Sequence, residues 1–228
     1  MRFNIPEGLF IGNVVVPLIG LAIILGIYSA ILKIQDISQL KWEMLAVFTI
    51  TLLSLVIGIG IGAHIVAIII EKSLGNKKFL PKKTREILYY FHWPFGHKMT
   101  FVPTTLIFHV LTLLDLFKGE IYVMKAHQMI FSAIFAILLG GVMTTIFIIT
   151  HVTRTMFYTL LVINISLQLL LIYENITLRY HVISFFFYAT NFATLLFLAI
   201  YRYSYKSFPR FHDFLQEKFP NGDKVGGD

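Results

Sequence analysis

Six long stretches of the chain carry no charged side chain, and short charged segments separate them. A helix needs about 20 residues to cross the hydrocarbon core of a bilayer. The pattern therefore predicts an all-α, polytopic transmembrane bundle of about six spans. They fall near 8–32, 44–70, 99–117, 126–153, 155–173 and 180–201. The third is the shortest. It reaches spanning length only if Asp115 and the Leu-Phe after it form its interfacial end. The first stretch is too long for a secretory signal and has no small-x-small cleavage site after it, so it is expected to stay as a span.

The segments between the spans set the orientation. The longest, the loop 71–98, carries Lys72, Lys77, Lys78, Lys82, Lys83, Arg85 and Lys98, and Arg202, Lys206, Arg210, Lys218 and Lys224 follow the last span. Positive residues stay on the cytoplasmic side, which predicts that loop, the turn at Arg154 and both termini inside. Within the loop, Thr84 to Phe91 is expected to form a short surface helix ended by Pro94. The polar tail 208–228 contains Pro and Gly. It is expected to be partly disordered, or ordered only against a partner.

Composition sharpens this picture. Apolar residues make up 57% of the 228 and charged residues 14%, where soluble domains have about a quarter charged. Lipid is thus one partner. The net charge of +7 is confined to the inter-span segments, which argues against a nucleic-acid partner. The absence of cysteine excludes a disulfide framework, a thiolate-held cluster and a C-x-x-C-H haem attachment.

The candidate chemistry lies in eight histidines, because ionisable groups at membrane depth are costly and so point to function. His64 follows Gly58, Gly60, Gly62 and Ala63. Small residues there would let a flat macrocycle approach, and they would equally allow tight helix packing. His97 and His109 bracket the third span. The third and fourth spans are expected to form an antiparallel hairpin with its turn near Gly119 and Glu120, bringing His127 towards His109. In the fourth span Gly141 shares the face of His127, while Ala133, Ala136 and Gly140 form a packing stripe on the other side. His151 ends that span one turn before Arg154, a candidate propionate partner. His181 opens the last span. His92 and His212 read as solvated.

A b-type haem needs two axial imidazoles on facing helices and polar groups near the surface for its propionates. The chain offers an inner set, His64 with His97 or His151, and an outer set, His109 with His127 or His181, for one or two haems. Asp115, Tyr122, Lys125, His127 and His181 could line a quinone pocket, since a carboxylate, a phenol and an imidazole can exchange the protons of quinone reduction. No H-E-x-x-H or other metal-ligand cluster, no P-loop and no nucleophile elbow appears.

In size, span number and histidine-bearing spans the chain resembles the small membrane-anchor cytochrome b subunits of respiratory complexes. These include the nitrate reductase gamma subunit, the heterodisulfide reductase membrane subunit and the hydrogenase cytochrome b. The resemblance implies a haem b electron-transfer subunit that exchanges electrons between a quinone-type carrier and companion subunits. A cofactor-free accessory subunit and a small transporter or channel are the alternatives.

Overall fold

The computed structural model describes residues 40–73, 81–117 and 123–204, with side chains described from 44 to 71 in the first block. The expected span 8–32, the turn at Gly119 and Glu120, Tyr122 and the tail 208–228 lie outside these residues. The described residues form helices and no strand: α1 (Leu40–Ser73), α2 (Lys82–Tyr90), a π-helical turn (Phe91–Phe95), α3 (Gly96–Leu116), α4 (Ala126–Ile149), α5 (Thr153–Tyr173), a 3₁₀ turn (Leu178–Tyr180) and α6 (Val182–Ser204). Among them, five helical segments are long and apolar enough to cross a membrane: Met44–Glu71, Lys82–Leu116, Ala126–Ile149, Thr153–Tyr173 and Val182–Ser204. This is the build of a multi-pass membrane protein in contact with lipid.

Two faces alternate along α1. Ala46, Ile50, Leu53, Ile57, Gly60, His64 and Ala67 are buried or half-buried, and several of them pack against α3. Met44, Phe48, Leu52, Leu55, Ile59, Gly62 and Val66 stand exposed. Steps of three and four residues keep each set on one side of a helix. α4 repeats the device at Gly140, where a Cβ would lie 2.9 Å from the Cβ of Ala193 and 3.0 Å from the backbone nitrogen of Thr194. Lipid tails are as apolar as leucine, so such close backbone approach supplies the cohesion between helices. The packing stripe of Ala136 and Gly140 is therefore as expected, and its partner is α6.

Pro94 does not end a helix. The chain runs helically from Lys82 to Leu116, and Pro94 lies inside the five-residue π turn. Proline lacks an N–H and its ring clashes with the carbonyl one turn back, and a widened turn absorbs both defects. The expected loop 71–98 thus contributes its second half to a long helix. The fourth span ends sooner than expected, at Ile149. His151 adopts a left-handed conformation (φ 54°), and Val152 N–H returns to Phe147 C=O at 3.1 Å. This is a helix-terminating Schellman arrangement with histidine where glycine is usual.

The expected pairing of the third and fourth spans is slight: α3 and α4 meet where Phe101 packs on Phe147. α3 lies along α1 and also touches α5 and α6, while α4 lies along α6. The reason is local: Gly140 admits α6 to α4 closely, and α3 offers its own tight contact to α1 at Gly96.

The end of the bundle away from His64 is tied by Asp115. Its Oδ2 accepts from the Ser184 backbone N–H at 2.9 Å and from the Ser184 hydroxyl at 2.7 Å. A carboxylate on the first turn of a helix satisfies an orphan N–H and opposes the helix dipole. The Asp115 carbonyl also accepts from His181 Nδ1–H at 2.9 Å. Asp115→Ala should lower stability by about 1–2 kcal/mol, read as a lower midpoint of thermal unfolding in detergent. Ser184→Ala added to that variant should cost only the hydroxyl's remaining bond to the Thr112 carbonyl (3.1 Å), about 1 kcal/mol.

Candidate functional site

The site follows from the inward stripe of α1. Gly60 and His64 lie one turn apart on it and face Gly96. A Cβ on Gly96 would lie 2.9 Å from the His64 Cβ, and one on Gly60 would lie 2.8 Å from the Met99 Cβ. Two bare glycine backbones therefore cross, and His64 is pressed against the start of α3. The π turn and the first turn of α3 present one further imidazole each to it. His64 Nδ1–H donates to the carbonyl of His92 at 2.8 Å. The His64 ring centroid lies 4.8 Å from that of His92 and 4.6 Å from that of His97.

Glu71, two turns after His64 on α1, extends the cluster towards the end of the bundle. Its Oε2 lies 3.3 Å from His92 Nδ1, and the two side chains are only 14% and 13% exposed. Trp93 stacks on His92 (4.8 Å, 19°) and meets His97 at 5.2 Å and His151 at 5.9 Å. His97 stacks in turn on Phe101, which meets the buried Phe147 of α4. Carboxylate, imidazoles and indole thus form one contact path from the Glu71 end into the apolar interior. At its deep end, His97 Nε2 is buried and has no hydrogen-bond partner. A buried polar atom without a partner calls for a physical explanation.

The haem expectation can be tested against these positions. A bis-histidine iron holds its imidazoles on opposite faces of a macrocycle. The rings of His64 and His97 are instead in contact, tilted by 55° with no layer between them. In this arrangement they do not fit as the two ligands of one haem. His151, the alternative inner ligand, is exposed in the turn after α4, and Trp93 meets both its ring and that of His97. Arg154 is exposed in the first turn of α5.

The outer set is no closer. His109 on α3 is half-buried, with Nδ1 buried and unpartnered. His127 is exposed on the first turn of α4, a helix that packs chiefly on α6. His181 is buried and bonded to the Asp115 carbonyl, roughly 9 Å of helix rise beyond His109. Among the described residues, no group of three or more His, Cys, Asp or Glu is arranged to hold a metal ion.

For the expected quinone pocket, Asp115 caps α6. Lys125 is exposed, and its backbone N–H donates to Gln128 Oε1 at the start of α4. The pocket residues His127 and His181 lie as described above.

Sequence reasoning missed His92, Glu71 and Trp93. His92 read as solvated and Glu71 as a span boundary. The signal was the close spacing in Phe91-His92-Trp93-Pro94-Phe95-Gly96-His97. It becomes meaningful once Pro94 is placed inside a helix, because a wide π turn then brings His92 and His97 to the same neighbour.

Comparison with protein-family models, with curated proteins and with solved structures returned no match.

The crossing that builds the site makes a sharp contrast among the glycines of α1. Gly60→Ala meets both Cβ and backbone of Met99, so it should destabilise by about 1–3 kcal/mol and disturb the cluster. Gly58→Ala and Gly62→Ala meet nothing within 4 Å and should be neutral or slightly stabilising, as alanine is the better helix former. Thermal unfolding of the three variants, followed by Trp fluorescence to report Trp93, checks this.

Proposed function

We propose that this chain is a six-span membrane subunit of an electron-transfer complex, with both ends cytoplasmic. In this proposal the Glu71–His92–His64–His97 cluster delivers protons from the cytoplasmic face to a quinone-type carrier. Companion subunits supply the electrons. Reduction of a quinone to a quinol takes up two electrons and two protons, and the protons must come from groups at the water-facing edge. Imidazole suits this task, since its unperturbed titration lies nearest neutrality and its two nitrogens can accept and release on different sides.

The observation that carries the proposal is the deep end of the path. His97 Nε2 is buried and unpartnered, while the other end rests on a largely enclosed His92–Glu71 pair. His64 links the two. Its Nδ1–H is held by a backbone carbonyl, so Nε2 is the nitrogen open to a proton.

Orientation is supported by the charges around the cluster. Lys72, Lys82, Lys83, Arg85, Lys98, Arg154 and Arg202 lie at that end among the described residues, against Lys41, Lys125 and Arg179 at the other. Because the chain has no cysteine, single-cysteine labelling has no background. With an impermeant thiol reagent on intact cells, Glu174→Cys should label, and Lys83→Cys should label only after permeabilisation. The reverse pattern would refute the orientation.

For the function, the share of membrane quinone reduction that depends on the chain should fall at least tenfold in His97→Gln and in His92→Gln, with protein levels unchanged. Unaltered turnover in both would remove the proton-delivery role.

A second reading has one observation in its favour. A ligand histidine is commonly oriented by giving its other N–H to a backbone carbonyl, as His64 does to His92 and His181 to Asp115. A haem b subunit would need the α1–α3 junction to open so that the rings part. A reduced-minus-oxidised spectrum of the purified protein with a b-type band, lost in His64→Leu or His97→Leu, would establish it, and a flat spectrum would reject it.

A further inference from the structure

We infer that α5 and α6 enclose a buried oxygen site between Asn164 and Asn191, occupied by a hydroxyl-type oxygen that both donates and accepts a hydrogen bond. Asn164 and Asn191 are only 5% and 9% exposed. Asn164 Nδ2 is used, donating to the Leu160 carbonyl at 2.8 Å. Its Oδ1 is a buried acceptor without a donor, and Asn191 Nδ2 is a buried donor without an acceptor.

The two lie at the same depth. α5 and α6 pack together, and Tyr188 Oη donates to Gln168 Oε1 at 3.1 Å. That bond sets the register on one side. On the other, Leu160 of α5 shares a core cluster with Leu195 and Leu198 of α6. One turn from the Gln168–Tyr188 bond towards that cluster, α5 presents Asn164 and α6 presents Asn191. The difference in depth is about one residue's rise, 1.5 Å.

An isolated amide far from water is costly to leave unpaired. The neighbouring threonines show how such groups are satisfied elsewhere. Thr144, Thr190 and Thr194 each bond to the carbonyl one turn back. The free atoms of Asn164 and Asn191 have no such outlet. One oxygen bearing a hydrogen, placed between them, satisfies both at once. Exchanging N and O of the Asn191 amide would leave two acceptors, which a water satisfies by donating twice and a single hydroxyl does not; the hydroxyl source therefore requires Nδ2 to be the free atom of Asn191. The oxygen can come from an ordered water or from the hydroxyl of a lipid-soluble quinol or phenol.

The test is a double-mutant cycle on the purified full chain in detergent, read as the thermal midpoint. Asn164→Leu and Asn191→Leu should each lower the midpoint by about 3–6 °C, because each strands the other amide and the bridging oxygen. The double variant should lose clearly less than the sum. Additive losses, or single variants as stable as the wild type, would overturn the bridge. If a leucine variant does not fold, the same cycle with Asn164→Thr and Asn191→Thr decides it. There the added hydroxyls can back-bond, and the same shortfall from additivity is expected. Duroquinol separates the sources: a rise in the wild-type midpoint that is absent in the double variant places a quinol hydroxyl there. Coupling without any duroquinol effect places water there.

Discussion

Two glycine backbones in contact, Gly60 of α1 and Gly96 of α3, set the geometry on which the candidate site depends. Either Cβ would lie under 3 Å from a neighbouring atom. In lipid the helices gain little from hiding apolar surface, so dispersion between closely approaching backbones holds them together. That closeness has a chemical consequence. It leaves His64 no room except against the first turn of α3 and the π turn before it, where His92 and His97 already point the same way.

Across the bundle the buried polar groups are handled in two ways. Some are pinned: His64 by the His92 carbonyl, and His181 by the Asp115 carbonyl. Others are buried without a partner: His97 Nε2, His109 Nδ1, Asn164 Oδ1 and Asn191 Nδ2. The pinned groups orient helices and fix tautomers. The partnerless ones mark where a proton, a water or a ligand hydroxyl would lower the energy of the bundle. The proton-delivery and oxygen-site proposals use different members of this second set and stand on different helices.

Asp115 illustrates how a residue's chemistry depends on its neighbours. A carboxylate at the end of a span looks like a proton donor for a quinone. In the bundle both its bonds go to Ser184 at the start of α6, which makes it a helix cap. Glu71, at the opposite end, looks like a boundary and instead faces an imidazole. The two carboxylates exchange the roles their positions in the chain suggest.

The sequence alone determined the helical class and four of the spans to within a few residues; for the third it placed the outer end but not the start, which lies at Lys82. These follow from one local rule, span length against bilayer thickness. It could not show that Pro94 lies inside a continuous helix, because a proline's effect depends on whether neighbouring backbone can widen around it. Nor could it choose partners for the histidines. His109 and His127 are close in the chain yet lie on helices that each pair mainly with another neighbour, while the more widely separated His64 and His92 share a hydrogen bond. Helix pairing is decided by which small residues meet, Gly60 with Gly96 and Gly140 with Ala193. That is a property of two surfaces at once, which no single stretch of sequence contains.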